Sequence, residues 1–429
     1  MLLVLGIVIF FFGLLFSIAW HELGHLLAAK LFGVKVTQYM VGFGRTLWSR
    51  KKKGGDTEYG VKAVPFGGYI RMIGMFPPRK AGEQGREGTS GRWQAMIEDA
   101  REAAAEDVRP EDEHRQFYQR KPWKRIIVMV AGPAMNLILA VGIFAGVLMG
   151  YGLPTPTTTV GSVSECVLPA NVQNTQQCPP DAPKAPAAAA GFQPGDRIVE
   201  FNGRPYESWE QLQLAIRNSS GTVPAVVERN GQRVPLNVDI MRTQRPKLDE
   251  PSETTEVGFL GLAPNQVLVR QGVGGVAEQI GGYISLTAEK IVQLPQRVPG
   301  LISAIGGEQR ATDSPVGIVG ASRLGGEVLS HDQTSVGARL IVFVQLLAGM
   351  NLSLFAINML PILPLDGGHV AGALWESLRR KFAWLIRRPD PGPFDTAKLM
   401  PLAYGVMMIF IAYSLLVLVA DVVNPVKLF

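Results

Sequence analysis

The 429-residue sequence predicts a polytopic α-helical membrane protein with about four transmembrane helices and one α+β module outside the membrane. Three observations carry this. Apolar residues make up 47% of the chain against 18% charged, a balance that excludes disorder as the dominant state and does not suit a plain soluble protein. Four apolar runs, 2–19, 126–148, 340–363 and 402–423, approach the roughly 20 residues that a helix needs to cross about 30 Å of hydrocarbon. Between the second and third runs the pattern changes to short alternating segments separated by turn residues.

Taken in order, residues 1–35 read as the first transmembrane helix. Met1 is followed directly by apolar residues, and Trp20-His21-Glu22 stands where a signal peptide would place a small-residue cleavage site, so the helix is expected to be retained. Residues 36–120 form the stretch between the first two helices, and within it a charged, Gly-rich insertion (77–113) is expected to be solvated, with a short charged helix near Trp93 to Asp107. Residues 121–154 are the second transmembrane helix, 155–245 the exterior module, and 246–337 a linker and amphipathic helix. The third helix (338–370), a cytoplasmic loop (371–399) and the fourth helix (400–429) complete the chain.

Orientation follows from lysine and arginine. Lys51, Lys52, Lys53, Lys121, Lys124 and Arg125 lie between the first two runs, and Arg379, Arg380, Lys381, Arg387 and Arg388 between the last two. Both loops are therefore expected inside, with the module and both termini outside the membrane. The net charge of +6 is read as this topology, because no aromatic-interleaved basic stripe points to nucleic acid. Cys166 and Cys178, the only cysteines, fall in the exterior stretch, where a disulfide persists if it forms. Their spacing leaves pairing and two free thiols both open.

In the module, Gly191-Phe192-Gln193-Pro194-Gly195-Asp196-Arg197 is turn chemistry before the strand-like Ile198-Val199-Glu200-Phe201. Ser208 and Gln211 form a capping signature opening a helix whose Trp209, Leu212 and Ile216 share a face. Asn230-Gly231 joins two alternating runs as a hairpin. Pro- and Ala-rich stretches, 179–190 and 242–255, read as linkers, and the stripe Ile280, Ile284, Ala288 and Ile291 as the amphipathic helix.

The chemistry begins at His21-Glu22-Leu23-Gly24-His25. On a helix, residues four apart share a face, so both imidazoles can hold one Zn²⁺ while Glu22 reaches a water on it. Three ionisable side chains at the end of a transmembrane helix are costly unless they face a partner or a cavity. A catalytic zinc generally takes three protein ligands, so one is missing. Asp366, in Asn358-Met359-Leu360-Pro361-Ile362-Leu363-Pro364-Leu365-Asp366-Gly367-Gly368-His369, sits on irregular backbone of the kind tolerated at membrane depth only around a cavity or inside protein. Asp366 is the expected third ligand and His369 the runner-up.

These motifs together resemble the site-2 protease family of intramembrane zinc metalloproteases. Gly42-Phe43-Gly44-Arg45 and Pro65-Phe66-Gly67-Gly68-Tyr69 resemble the membrane-associated hairpin of its bacterial members, and Ala131-Gly132-Pro133-Ala134-Met135-Asn136 the start of their second helix. The exterior module resembles a bacterial PDZ domain through its Gly-x-x-Pro-Gly-Asp-x-Ile run, and such a domain would bind an extended peptide on a sheet edge beside its helix. With one such domain the chain resembles the anti-sigma-factor-cleaving subgroup, actinobacterial members in particular; some relatives carry two. The resemblance implies one Zn²⁺ and transmembrane protein substrates such as anti-sigma factors, shortened beforehand by an upstream site-1 protease. It implies cleavage within the membrane lipid, with Glu22 as general base. Gly42, Phe43, Gly44, Gly67 and Gly68 would hold the unwound substrate as an added strand, and Asn358 would bond its backbone. A membrane-anchored PDZ scaffold with an inactive metal site is the alternative, and an ion or metal transporter a third class. An intact Glu22 argues against the scaffold, and an exterior peptide-binding module against the transporter.

Overall fold

The computed structural model describes residues 1–78, 92–106, 108–168, 178–179, 181–248, 254–311, 313–332 and 334–426. In chain order the elements are α1 (Leu2–Leu31), β1 (Val36–Lys51), β2 (Glu58–Met72), α2 (Arg92–Ala105), α3 (Pro122–Ala145), β3 (Leu153–Val163), α4 (Pro186–Ala190), β4 (Arg197–Phe201) and β5 (Arg204–Pro205). Then come α5 (Trp209–Arg217), β6 (Gly221–Arg229), β7 (Gln232–Pro246), β8 (Thr254–Phe259), β9 (Leu262–Val269), α6 (Val273–Val292), α7 (Val298–Ile305), α8 (Ile318–Ser330), α9 (Val336–Asn358), α10 (Asp366–Leu385) and α11 (Met400–Val423). They form two compact units, 1–147 with 273–429, and 148–272.

Among the described residues, four helical segments are long and apolar enough to cross a membrane: Leu2–Leu31, Pro122–Tyr151, Val336–Asn358 and Thr396–Val423. Lipid tails are as apolar as leucine, so close backbone approach has to hold such helices together. α1 and α3 achieve it through small residues. A Cβ on Gly24 would stand 2.3 Å from the Ala131 carbonyl oxygen, and one on Gly132 would stand 2.2 Å from His25 Nε2. Around this contact Leu26, Ala29, Val128, Met129 and Val370 form a buried cluster with Val34 and Val36 at the start of β1. α1 is also packed on α8, where Gly325 and Gly326 meet Phe10 and Leu3.

β1 and β2 form a two-stranded antiparallel sheet with several register shifts. Tyr39 Oη donates to the Ala19 carbonyl oxygen at 2.7 Å, which ties the hairpin to α1. In the charged insertion, residues 79–91 and Asp107 lie outside the described residues. The rest is docked: Arg101 pairs with Asp395, and buried Asp112 with Lys35 and Arg115. The expected solvated insertion is thus partly attached to its own unit. Residues 371–399, expected as a loop, carry most of α10. α7 and α8 fill 298–330, where only a linker and one helix were anticipated.

The second unit is a sheet in the order β8-β7-β6-β4-β3-β9, with β5 paired to β4. Asn230 and Gly231 adopt φ 53° and 79° between β6 and β7, the left-handed pair that a two-residue hairpin turn demands. Ser208 caps α5 by accepting from the Gln211 N–H. Ile198, Phe201, Leu212, Val227 and Val238 are buried in the core, each contributing about 1.5–3 kcal/mol relative to exposure. Cys166 and Cys178 form a disulfide. The stretches read as linkers contain structure: α4 lies within 179–190, and β7 runs through Pro246.

Candidate metal centre

The centre is built where α1, α3 and the start of α10 meet. One helical turn places His21 and His25 on the same face of α1, and both are buried. The α9 helix closes at Asn358, Pro361 and Pro364 follow, and α10 opens with Asp366. A residue that would otherwise lie two turns farther along is thereby folded back toward α1.

The three donors converge. His21 Nε2 and His25 Nε2 are 3.2 Å apart, and each is 3.2 Å from Asp366 Oδ2. All three ligand atoms lie within 4.8 Å of one another. Tetrahedral zinc with N and O ligands at about 2.0–2.1 Å puts neighbouring ligand atoms roughly 3.3 Å apart, so this donor set fits the ion. His25 Nδ1 lies 2.8 Å from the Val128 carbonyl oxygen of α3, the outer contact that orients a ligating imidazole. Among the described residues, His21 Nδ1 has no hydrogen-bond partner, and neither amide atom of buried Asn136 has one either.

Glu22 faces the hairpin. A Cβ on Gly68 of β2 would be 3.2 Å from Glu22 Cγ. The absence of a side chain at Gly68 is what lets the strand lie on this residue. The other hairpin positions sit around it: Gly42, Gly44 and Gly67 have positive φ, and Phe43 packs across Gly67 with its ring stacked on Tyr69 at 6.0 Å. Asn358 donates to the Leu354 carbonyl oxygen of its own helix at 2.9 Å. His369, three residues after Asp366 on α10, is not among the converging donors.

Two buried supports escaped the sequence reading. Arg125 at the start of α3 pairs with Glu376 on α10, and Glu376 also accepts from Arg380 and the Phe394 N–H. The available signal was Glu376 itself, the one acid in residues 367–389. Farther along the same unit, Asp421 accepts from Arg310 and from the N–H groups of Gly317 and Gly320.

Residues 9–385 match peptidase family M50. The chain belongs to this family. Among M50 relatives, the zinc metalloprotease Rip1 of Mycobacterium tuberculosis is 36% identical over the full length of both chains, and Rip1 of Mycolicibacterium smegmatis 33% over 99% of each. Metalloprotease MmpA of Caulobacter vibrioides is 30% identical over 84% of each chain. The protein is accordingly a zinc-dependent, site-2-type membrane metalloprotease.

Proposed function

We propose that this M50 protease hydrolyses peptide bonds inside transmembrane segments of its substrates, with His21, His25 and Asp366 holding zinc and Glu22 moving the proton. The observation that carries the reading is the convergence of three ligand atoms beside Glu22, with the hairpin strand at Gly68 lying on that glutamate. When bound, zinc acts as a Lewis acid on the scissile carbonyl and on the attacking water. The Glu22 carboxylate takes a proton from that water as its oxygen bonds the carbonyl carbon. It returns the proton to the amine nitrogen as the C–N bond breaks. A transmembrane helix hides its peptide groups in internal hydrogen bonds, so the substrate unwinds locally and pairs with an edge of the β1–β2 sheet between Gly42 and Tyr69. Asn358 bonds the freed backbone once its side chain turns from Leu354.

We read the Lys51–Lys53, Lys121–Arg125 and Arg379–Arg388 clusters as the cytoplasmic side, with the 148–272 unit and both termini outside. That unit is read as PDZ-like. A groove of about 460 Å³ runs beside α5, lined by Trp209, Gln213 and Ile216 against Val257 to Leu262, and in this reading it takes the extended peptide. In this reading the unit restricts which substrates reach the metal, and anti-sigma factors already cut outside by a site-1 protease are the substrates it admits. Deleting 157–240 is expected to preserve cleavage of a shortened substrate and to permit cleavage of the long one.

The direct test is a helical membrane peptide reconstituted with the purified protein. Cleavage is expected within the hydrocarbon-spanning part of the peptide, to stop on chelation, and to return with Zn²⁺. Cleavage confined to flanking soluble residues would refute the reading.

A further inference from the structure

α10 buries one face and leaves the other without a partner among the described residues. Val370, Ala373, Glu376 and Ala383 are buried. Opposite them Leu374, Leu378, Phe382 and Leu385 are 55%, 59%, 61% and 71% exposed. At 100° per residue those four fall within about 80° of the circumference, with Trp375 at their side. The helix is not among the four candidate spans, so its apolar ridge needs another occupant.

Its depth can be read from its neighbour. Val370 shares a buried cluster with Val128 and Met129 of α3, and Glu376, less than two turns on, pairs with Arg125 near the start of that helix. α10 therefore runs from the metal centre toward the basic end of α3, where Lys121, Lys124 and Arg125 mark the membrane boundary under the proposed topology. From Glu376 to Leu385 is about 14 Å of helix, which keeps the ridge at the boundary between lipid chains and headgroups.

The charge there is of one sign. Residues 371–389 contain five basic side chains and one acid, the buried Glu376. Arg380 is engaged by Glu376 and Asp390, and Arg379 by the Pro391 and Gly392 carbonyl oxygens. Lys381, Arg387 and Arg388 have no carboxylate partner among the described residues. Trp375 and Trp384 are 53% and 80% exposed, the residue type enriched where hydrocarbon meets water.

We infer that α10 is an interfacial anchor: its leucine and phenylalanine ridge lies among lipid chains, and Lys381, Arg387 and Arg388 take anionic lipid headgroups. This rests on the membrane topology proposed above and adds a lipid-reading surface to it. Asp366 is the first residue of the anchored helix, so the same rigid element that grips the leaflet presents a donor to the metal centre.

Both native cysteines are disulfide-bonded, so a nitroxide on Phe382→Cys is the sole free-thiol label on the full-length chain. In nanodiscs of phosphatidylcholine with phosphatidylglycerol, this label is expected to be open to oxygen and shielded from a water-soluble nickel chelate, whereas a label on Asp390→Cys is open to the chelate. A spin-labelled phosphatidylglycerol probe should be preferred over its phosphatidylcholine counterpart by at least about 5-fold, the effect of one surface cation. In the Lys381→Gln, Arg387→Gln, Arg388→Gln variant the preference should fall to near parity. Chelate access at 382, shielding from both reagents as in a protein–protein contact, or an unchanged lipid preference in the variant would each overturn the inference. Neither readout requires zinc or cleavage, so failure here is separable from failure of the protease reading.

Discussion

Asp421 and Asp366 both sit in the membrane-spanning unit, yet what surrounds them differs in kind. Asp421 has the Arg310 guanidinium on one oxygen and two backbone N–H groups on the other. Asp366 has neither an arginine nor a lysine on it, only two imidazole nitrogens that also face each other. The 148–272 unit repeats the first solution independently: buried Asp196 accepts from both arms of Arg229 and from the Gln193 N–H. A buried carboxylate requires charge and donors. At Asp421 and Asp196 the chain supplies both, and the result is a lock. At Asp366 it supplies three converging donors of electron pairs, a set that a cation would complete.

The largest expected effect breaks that contrast at Asp366. Asp366→Ala should lose zinc and all detectable cleavage, while His369→Ala keeps zinc; metal analysis of the two purified variants checks it, and the reverse result would make His369 the ligand. Asp421→Ala should act on the other property. Leaving Arg310 buried and unpaired costs on the order of 3–5 kcal/mol of stability, visible as a lower unfolding midpoint in detergent, with zinc still bound by whatever remains folded.

Asp196 sharpens the comparison through pH. Burial alone raises its carboxyl, but hydrogen bonds from Arg229 and the Gln193 N–H outweigh burial and hold it below the ordinary carboxylate range. A group depressed on folding stabilises above its unfolded value near 3.9 and loses that contribution as pH falls through the folded value. Hydrogen-exchange protection of β4 and β6 should therefore drop on acidification below about pH 4, and Asp196→Asn should flatten the dependence. The smallest effect belongs to the exposed Arg197–Glu228 pair. Arg197→Ala should change stability by no more than about 0.5 kcal/mol, so a larger loss would show that exposure is a poor guide here.

What was legible in the sequence follows from how local each feature is. The His21 and His25 pair needs only one helical turn, the Asn230-Gly231 hairpin only two residues, and the α5 cap only three. Asp366 was legible because prolines and glycines around it break a transmembrane run. The Arg310–Asp421 lock was not, because its partners are 111 residues apart and the two N–H groups come from Gly317, just before α8, and Gly320 in its first turn. Nor was α10: its basic residues read as a loop, and the apolar ridge at 374, 378, 382 and 385 emerges only once its opposite face is seen buried against α3. Local chemistry was legible and long-range neutralisation was not.

The central claim is that the converging donors hold zinc while Glu22 carries the proton. It is tested by loading the wild type and Glu22→Gln with zinc, measuring metal content, and following cleavage of one helical membrane peptide. The substitution removes no ligand donor, so zinc should remain at one ion per chain while the rate falls by about 10²–10⁴. Wild-type turnover in the zinc-loaded Glu22→Gln protein would remove Glu22 from the mechanism, and loss of the metal would place that residue in the ligand set instead.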